Sequence, residues 1–394
     1  MGNWIEQEHK YYMGVAKRLP VVLTRGEGVR VWDENGKSYL DLVAGIATSI
    51  LGHCHPAQVE AISRQAGTLI HISNLYYSIP QLELAKALVE NSCADQVFFG
   101  NSGAEANEGA IKLARKYGGT RRNGAYEVIS AENSFHGRTL ATLAATGQTK
   151  FHKPFEPLPE GFKIVPYNDL AALKAATTAK TAAVLLELVQ GESGVHPADR
   201  AYIEGVRRWC DEQGLLFMID EIQTGMGRTG KLFAYELYGV EPDVFTMAKG
   251  LAGGVPIGAF LAKKHACVFE PSDHGSTFGG NPLACAAGVA TMRVLLEEGL
   301  VDNAAQIGRY FLGKLEDLKS RTPAIAEVRG VGLMLAFDLK EDRAGDAVLA
   351  ALKRGVIVNN TGPRTVRMVP PLVLREGDVD EAVAGIAAAV ADVG

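Results

Sequence analysis

The sequence predicts an α/β protein with a mostly parallel central sheet, and three features of the chain carry that prediction. Short apolar runs rich in strand formers alternate with segments of helical periodicity from about residue 95 to 262. Several of these runs stop abruptly at Gly or charged residues, which is typical of strands buried on both faces. Beyond about residue 295, helices interleave with short strands instead. We therefore expect a large domain over residues 61–294 and a smaller α+β domain built from residues 1–60 and 295–394.

Composition and charge narrow the class of protein. The 394 residues carry a formal net charge of −5, which gives no reason to expect binding to nucleic acid or to an anionic membrane. No apolar run is long enough to span a bilayer, and the first residues are polar and acidic, unlike a signal peptide. The five cysteines are scattered and form no C-x-x-C pair, as expected of free thiols in a reducing compartment. The sequence thus predicts a cytoplasmic protein.

The N-terminal part contains a predicted hairpin and a histidine-rich turn. Residues 28–33 and 38–42 read as strands on either side of Asn35-Gly36, a two-residue turn signal. His53-Cys54-His55 invites a metal-site interpretation, but its spacing matches no familiar set of metal ligands. We favour a structural turn there and predict no metal.

A candidate anion site follows the first strand of the central sheet. A helix over about 81–91 leads to the strand 97–100, after which Ser102 and Glu105 form an S-x-x-E capping box for a helix through about residue 116. The free N–H groups and positive dipole end of a helix suit a phosphate, and Gly103-Ala104 keep the approach open. Whether Ser102 caps the helix or contacts phosphate stays open.

Two further loops are predicted at the same sheet edge. The strand 126–130 runs into a loop with Phe135 and Arg138, a ring and a cation that suit a planar cofactor and a carboxylate substrate; His136 in this loop is left without a role. Residues 147–165 contain three prolines and read as a surface loop. The strand 182–189 ends in the Gly-containing loop 190–195.

The strongest chemical signal comes from two strand ends. The apolar run 215–219 ends in Asp220, and the run 244–248 ends in Lys249. Because ligands bind beyond the carboxyl ends of parallel strands, both side chains should reach one cleft. An amine that holds a cofactor covalently and a carboxylate that keeps its ring nitrogen protonated are what pyridoxal 5'-phosphate needs.

A nucleotide-binding interpretation of residues 225–231 is not favoured. This stretch fits both G-x-G-x-x-G and G-x-x-x-x-G-K. Leu232 stands where the second motif needs Ser or Thr for magnesium, and the first lacks the strand directly before it and the acidic ribose partner after it.

Six motifs taken together resemble the class III pyridoxal-phosphate aminotransferases, in order and spacing and over nearly the whole chain. They are residues 101–108, 135–139, 190–192, 220–225, 249–250 and 276–282. The resemblance implies a fold type I transferase that works as a homodimer with shared active sites.

The resemblance also implies a role for each site residue. Lys249 would hold the cofactor covalently and move protons, and Asp220 would bind the ring nitrogen. The other cofactor contacts it implies are Phe135 and Ile222 on the ring faces, Gln223 on the ring oxygen, Gly103 and Ala104 on the phosphate, and Thr277 on the phosphate from the neighbouring subunit. The substrate contacts it implies are Arg138, Ser276 and the switch pair Glu192 and Arg367.

Within the family the chain is most similar to members that move the δ-amino group of N-acetylornithine to 2-oxoglutarate and, in some bacteria, act on succinyldiaminopimelate. Ile46 stands where ornithine-specific members have a tyrosine that binds the free α-amine, and an apolar residue favours an acylated donor. Ornithine and 4-aminobutyrate are the alternative donors. The remaining alternative is a non-catalytic protein that only binds the cofactor.

Overall fold

The computed structural model describes residues 4–393, and its centre is a seven-stranded sheet. Gly258–Ala262 runs antiparallel to both of its neighbours, and the other strands run parallel to one another. Every residue of Thr181–Leu186 and Leu216–Asp220 is buried, as expected of strands covered on both faces. The predicted α/β fold with a mostly parallel sheet is confirmed.

In the sheet, the strand that ends at Asp220 lies next to the strand that ends just before Lys249. From one edge to the other, the strands are Gln96–Gly100, Gly258–Ala262, Val244–Met247, Leu216–Asp220, Thr181–Leu186, Glu127–Ala131 and Phe162–Val165. The remaining strands are Leu23–Glu27, Arg30–Asp33, Ser38–Asp41, Val189–Gln190, His196–Pro197, Ile325–Val331, Met334–Leu339, Val356–Ile357, Asn359–Asn360 and Thr365–Met368.

The helix predicted over about 81–91 is Ile79–Glu90, and the helix predicted to end near residue 116 continues to Arg121. The right-handed α-helices are Trp4–Tyr11, Pro56–Ala66, Ile79–Glu90, Gly103–Arg121, Leu140–Ala145, Leu170–Ala176, Arg200–Gln213, Tyr235–Tyr238, Pro282–Glu297, Leu300–Arg321, Ala344–Lys353 and Glu376–Val393. Side-chain caps explain several of the starts: Asp169 accepts from the Ala172 N–H at 2.8 Å, and Asn281 accepts from the Ala284 N–H at 2.9 Å. None of the helices formed by residues 4–393 has the length and apolarity that a membrane crossing requires.

The two ends of the chain meet in a separate four-stranded sheet. Val356–Ile357 pairs in parallel with Ser38–Asp41 of the N-terminal hairpin. A second four-stranded sheet, built around Met334–Leu339, contains the strand Thr365–Met368. The exact division at residues 60 and 295 stays a prediction.

Two sequence-based expectations were wrong in detail. Phe162–Val165, assigned to a surface loop, is an edge strand parallel to Glu127–Ala131, because its apolar residues pair there in spite of the prolines before it. The hairpin turn comprises residues 34–36 rather than two residues, since the Gly36 N–H bonds the Asp33 carbonyl and the Asp33 N–H bonds the Lys37 carbonyl. The Asp33 carboxylate accepts from the N–H of Lys37 and stabilises this longer turn.

Candidate active site

Asp220 and Lys249 lie beyond the ends of two neighbouring strands, as predicted. Leu216–Asp220 pairs in parallel with Val244–Met247, and Asp220 is the partner of Thr246 in the register. Lys249 therefore follows the neighbouring strand by two residues, and its φ of 43° turns the chain sharply there. Both side chains line one cavity of about 440 Å³. That volume is typical of a site for a cofactor-sized ligand.

The amine of Lys249 is buried, and its pKa is lowered into a range that suits proton transfer. Burial lowers its pKa to about 8, and the nearby charge of Arg367 acts in the same direction, against the carboxylates of Glu192 and Asp220. A lysine with such a pKa is partly neutral near neutral pH. It can therefore act as a nucleophile or as a base.

Asp220 is held in place by three donors. Its Oδ2 atom accepts from Asn107 Nδ2 at 2.8 Å and lies 2.9 Å from His136 Nδ1, and its Oδ1 atom accepts from the Ile222 N–H at 3.0 Å. Asn107 also donates to the His136 carbonyl oxygen at 2.7 Å, which ties the helix to the loop. The carboxylate is thereby aimed into the cavity at a fixed angle.

The helix Gly103–Arg121 points its N-terminus at the same cavity. Ser102 caps this helix, because its Oγ accepts from the Glu105 N–H at 3.2 Å. The reciprocal bond goes to Asn101 rather than to Ser102: Glu105 Oε2 accepts from the Asn101 N–H at 2.7 Å. In the described part of the chain, the N–H groups of Gly103 and Ala104 have no partner, as expected of the first residues of a helix. These two N–H groups form a cradle for an anion.

Two apolar side chains line the same cavity as the cradle and Asp220. Phe135 and Ile222 both line the cavity, together with Gln223. A Cβ atom added to Gly103 would lie 2.9 Å from Ile222 Cδ1, so a glycine is needed for this close approach. The arrangement leaves a slot suited to a flat ring.

Glu187 also lines the cavity, although no motif in the sequence pointed to it. Its carboxyl is buried and accepts from the Phe135 N–H at 2.9 Å. Burial raises its pKa to about 7, while His136 lowers it and Asp220 raises it further. Glu187 thus anchors the loop that carries Phe135 by accepting from the Phe135 N–H.

Arg367 and Glu192 meet although they come from distant parts of the chain. Arg367 Nη1 donates to Glu192 Oε2 at 3.0 Å and to the Gly191 carbonyl at 2.9 Å, and it lies 3.4 Å from Gln223 Oε1. The guanidinium is 1% exposed, whereas the glutamate side chain is 39% exposed. Glu192 can therefore move into solvent and uncover the cation.

Arg138 stands at the open side of the cavity between two aromatic rings. Its guanidinium carbon lies 3.8 Å from the centroid of Phe151 and 5.3 Å from that of Phe135. Phe151 belongs to the segment 147–165 and was missed by sequence reasoning, because only the tertiary structure brings that segment to the site. Stacking on the rings orients the planar cation.

Four residues expected near the site do not line this cavity in a single chain, and one of them, Arg367, reaches it only through its bonds to Glu192 and Gln223. Thr277 is exposed, and Ser276 Oγ accepts from the Gly279 N–H at 2.9 Å and from Asn101 Nδ2 at 3.2 Å. Ile46 is 45% exposed and lies in a left-handed turn over residues 44–47, whereas its neighbour Thr48 lines the cavity.

The histidine-rich turn takes part in a different contact. His53 Nε2 lies 2.8 Å from Asp41 Oδ2, and Asp41 Oδ1 accepts from the N–H groups of Val43 and Ala44. Among residues 4–393, no group of three or more His, Cys, Asp or Glu side chains is placed to hold a metal ion.

The cavity combines a buried lysine, Lys249, with a carboxylate fixed by hydrogen bonds, Asp220, and with free N–H groups that can bind an anion. Together with apolar side chains that suit a flat ring, these are the features of a pyridoxal-phosphate enzyme. Residues 11–390 match the family model described as "Aminotransferase class-III". The chain belongs to the class III aminotransferases, which depend on pyridoxal phosphate.

The relatives of the chain carry more specific names. It is 53% identical over 379 residues to the acetylornithine aminotransferase of Caldanaerobacter subterraneus subsp. tengcongensis, with 96% of each chain covered. It is 54% identical over 390 residues to the acetylornithine aminotransferase of Thermosynechococcus vestitus, with 96% of this chain and 95% of that one covered.

Solved structures agree with the fold. The acetylornithine aminotransferase of Elizabethkingia anophelis superposes with a TM-score of 0.89 at 35% identity, covering 99% of this chain and 98% of that one. The ornithine aminotransferase of Toxoplasma gondii ME49 gives a TM-score of 0.95 at 34% identity, covering 99% and 94%.

Proposed function

We propose that this protein transfers the δ-amino group of N-acetylornithine to 2-oxoglutarate, giving N-acetylglutamate 5-semialdehyde and glutamate, as a step of arginine biosynthesis. The observation that carries the proposal is the cavity that combines Lys249, Asp220 and Arg138, with a second arginine, Arg367, bound to the lining residue Glu192. The relatives at 53% and 54% identity are named for this activity. We further propose that succinyldiaminopimelate is a second donor and that the protein is cytoplasmic, which its five free cysteines support.

The residues present fit pyridoxal 5'-phosphate. The N–H groups of Gly103 and Ala104 would bind the phosphate, Asp220 the ring nitrogen and Gln223 the ring oxygen. Phe135 and Ile222 would pack on the two ring faces. When bound, the cofactor supplies an electron sink for the carbon that loses its proton.

Lys249 is the group we assign to proton transfer. Lys249 would hold the cofactor through its amine until a donor amine replaces it. Because burial lowers its pKa to about 8, the freed Lys249 is partly neutral near neutral pH and can act as a base. It would then remove the proton from the carbon that bears the donor nitrogen and return a proton in the second half of the cycle. Asp220, whose carboxylate is fixed by Asn107 and His136, would keep the ring nitrogen protonated.

Two arginines let one site accept two unlike substrates. With Glu192 on Arg367, only Arg138 is available, and it binds the α-carboxylate of the ω-amino donor. When Glu192 swings out, Arg367 binds the α-carboxylate of glutamate or 2-oxoglutarate while Arg138 binds the γ-carboxylate. We propose that Ser276, in the loop 276–282, lies beside the donor carboxylate and contributes a polar group there.

A homodimer completes the proposal. The segment 69–82 exposes large apolar side chains, and the ring of His71 in this segment lies 5.2 Å from that of Phe278, which is itself exposed. The exposed fractions are 82% for Leu75, 69% for Tyr76, 93% for Tyr77, 73% for Ile79 and 62% for Phe278. We propose that this surface packs on a second copy and carries Thr277 to the neighbour's phosphate. Light scattering on the protein as it elutes from a size-exclusion column should give twice the chain mass. A monomer that binds the cofactor fully would contradict active sites shared between two subunits.

A donor screen tests the proposed activity. N-acetylornithine, succinyldiaminopimelate, ornithine and 4-aminobutyrate are compared by kcat/KM with 2-oxoglutarate as acceptor. We expect N-acetylornithine to be the best donor, and preferred use of free ornithine would overturn the choice. Ornithine is the second candidate because structural neighbours such as the Toxoplasma gondii protein are named ornithine aminotransferases. A protein that only binds the cofactor needs no second arginine. An absorbance band of the bound cofactor that no donor changes would support this alternative.

A further inference from the structure

Arg228 is a buried cation that forms no ion pair with any acidic side chain of residues 4–393. Its side chain is fully buried. Nη1 donates to the carbonyl oxygens of Leu333 at 3.0 Å and Pro370 at 2.5 Å, while Nε and Nη2 have no partner among residues 4–393. Burial lowers the pKa of this arginine to about 9. A guanidinium held only by backbone carbonyls contributes little to stability, because its desolvation is not offset by an opposite charge.

The two carbonyls belong to a different part of the fold from Arg228 itself. Arg228 lies in the loop that follows the ring-binding residues 220–223, the same loop that resembles a nucleotide motif. Its backbone carbonyl also accepts from the Leu333 N–H at 3.0 Å, so side chain and main chain bind the same turn. At that turn a Cβ atom on Gly332, whose φ is +54°, would lie 2.4 Å from the Thr229 carbonyl carbon. The loop and the turn therefore fit closely at this point.

The second carbonyl connects Arg228 to the substrate switch. Pro370 lies two residues beyond the strand Thr365–Met368, which carries Arg367. Arg367 in turn reaches Glu192 and the edge of Gln223. The loop that begins with the ring-binding residues is thus joined to the Arg367 strand twice, once at the site and once through Arg228.

We propose that Arg228 is a positioning residue for Arg367: by bridging Leu333 and Pro370 it sets the distance between the ring-binding segment and the Arg367 strand, and so the affinity for the α-carboxylate of glutamate and 2-oxoglutarate. This inference rests on the proposed switch between Arg138 and Arg367. It does not depend on which ω-amine is the donor. Arg138 comes from the loop after Glu127–Ala131, a different part of the fold, so we expect binding of the donor carboxylate not to depend on Arg228.

The test compares the two half-reactions of the holoenzyme in Arg228→Met, which keeps the approximate length but removes the donors. The reaction with glutamate uses Arg367, whereas the reaction with the best ω-amino donor uses Arg138. We expect the apparent Kd for glutamate and the KM for 2-oxoglutarate to rise about 10-fold or more, as for the loss of a well-placed charged hydrogen bond. The Kd for the ω-amino donor should stay within about twofold, and the absorbance of the bound cofactor should not change.

Arg207→Lys is the matched control. Arg207 is a half-buried arginine that does not line the cavity, and its Nη1 donates to Asp243 Oδ2 at 2.9 Å. A merely structural loss weakens substrate binding in both half-reactions together, and this control should show no selective change.

If Arg228→Met does not fold, the same comparison is made with Arg228→Lys, which has a shorter reach. An equal change in both half-reactions, or unchanged affinity for glutamate, would overturn the inference. Failure of the wild type to use N-acetylornithine would overturn the proposed donor alone, since glutamate and another ω-amine still separate the two half-reactions.

Discussion

His136 Nδ1 and Asp220 Oδ2 lie 2.9 Å apart, and the two side chains are 0% and 4% exposed. Because an ionised carboxylate only accepts, Nδ1 carries the hydrogen, and the second nitrogen, Nε2, remains buried without a partner in the described structure. A buried group that forms one directed bond to the residue assigned to the cofactor ring serves orientation more than stability.

Removal of the Asp220 carboxylate should abolish most activity without preventing folding. In Asp220→Ala the ring nitrogen loses its counter-charge, and kcat/KM should fall at least about 100-fold. The buried donors of Asn107 and His136 lose their acceptor, which costs about 1–3 kcal/mol of unfolding free energy. Steady-state kinetics and thermal unfolding check both parts. A variant with near-wild-type turnover would contradict the assigned role.

Loss of the Glu192 carboxylate should shift substrate preference. In Glu192→Gln the negative charge that holds the side chain on Arg367 is lost, so Arg367 is uncovered more often and the ratio of kcat/KM for glutamate to that for the ω-amino donor should rise about 10-fold. The half-reactions are followed through the cofactor absorbance. Glu341→Gln, at an exposed position that does not line the cavity, is the control and should leave the ratio unchanged. An unchanged ratio in Glu192→Gln would argue against the switch.

Phe151 should affect carboxylate binding through Arg138. Phe151→Leu removes the ring 3.8 Å from the guanidinium, and the KM of both the donor and 2-oxoglutarate should rise about 2- to 5-fold, with kcat little changed. Phe155→Leu is the matched control in the same segment, since Phe155 is 56% exposed. The prediction is wrong if both variants behave alike.

The amine of Lys249 should titrate well below an ordinary lysine in the cofactor-free protein. Its pKa of about 8 means that the neutral, reactive form accumulates as pH rises through 8 instead of through about 10.4. Competitive acetylation at a series of pH values, read by peptide mass spectrometry, gives the midpoint against a model lysine peptide. A midpoint near that of the peptide would show that burial does not lower the pKa of Lys249 in solution.

Sequence reasoning found the residues that stand at strand ends and failed for residues inside other elements. Asp220 and Lys249 could be found because an apolar run that ends in a charge is a local pattern. Asn107 lies within a helix, where no local pattern distinguishes it. Glu187 was missed because the strand predicted over 182–189 runs past it, whereas the strand in the structure ends at Leu186. Phe151 was missed because residues 147–165 were assigned to a surface loop, and no local pattern places that loop at the site.

The sequence by itself determined the strands, the helices and the presence of an amine and an acid at one sheet edge, because these follow from local periodicity and from the direction of parallel strands. Only the tertiary structure decided which side chains hold them. Arg367 meets Glu192 across 175 residues of sequence, and Arg228 meets Pro370 across 142. Contacts of that kind arise from the packing of separate elements, and no local pattern encodes them.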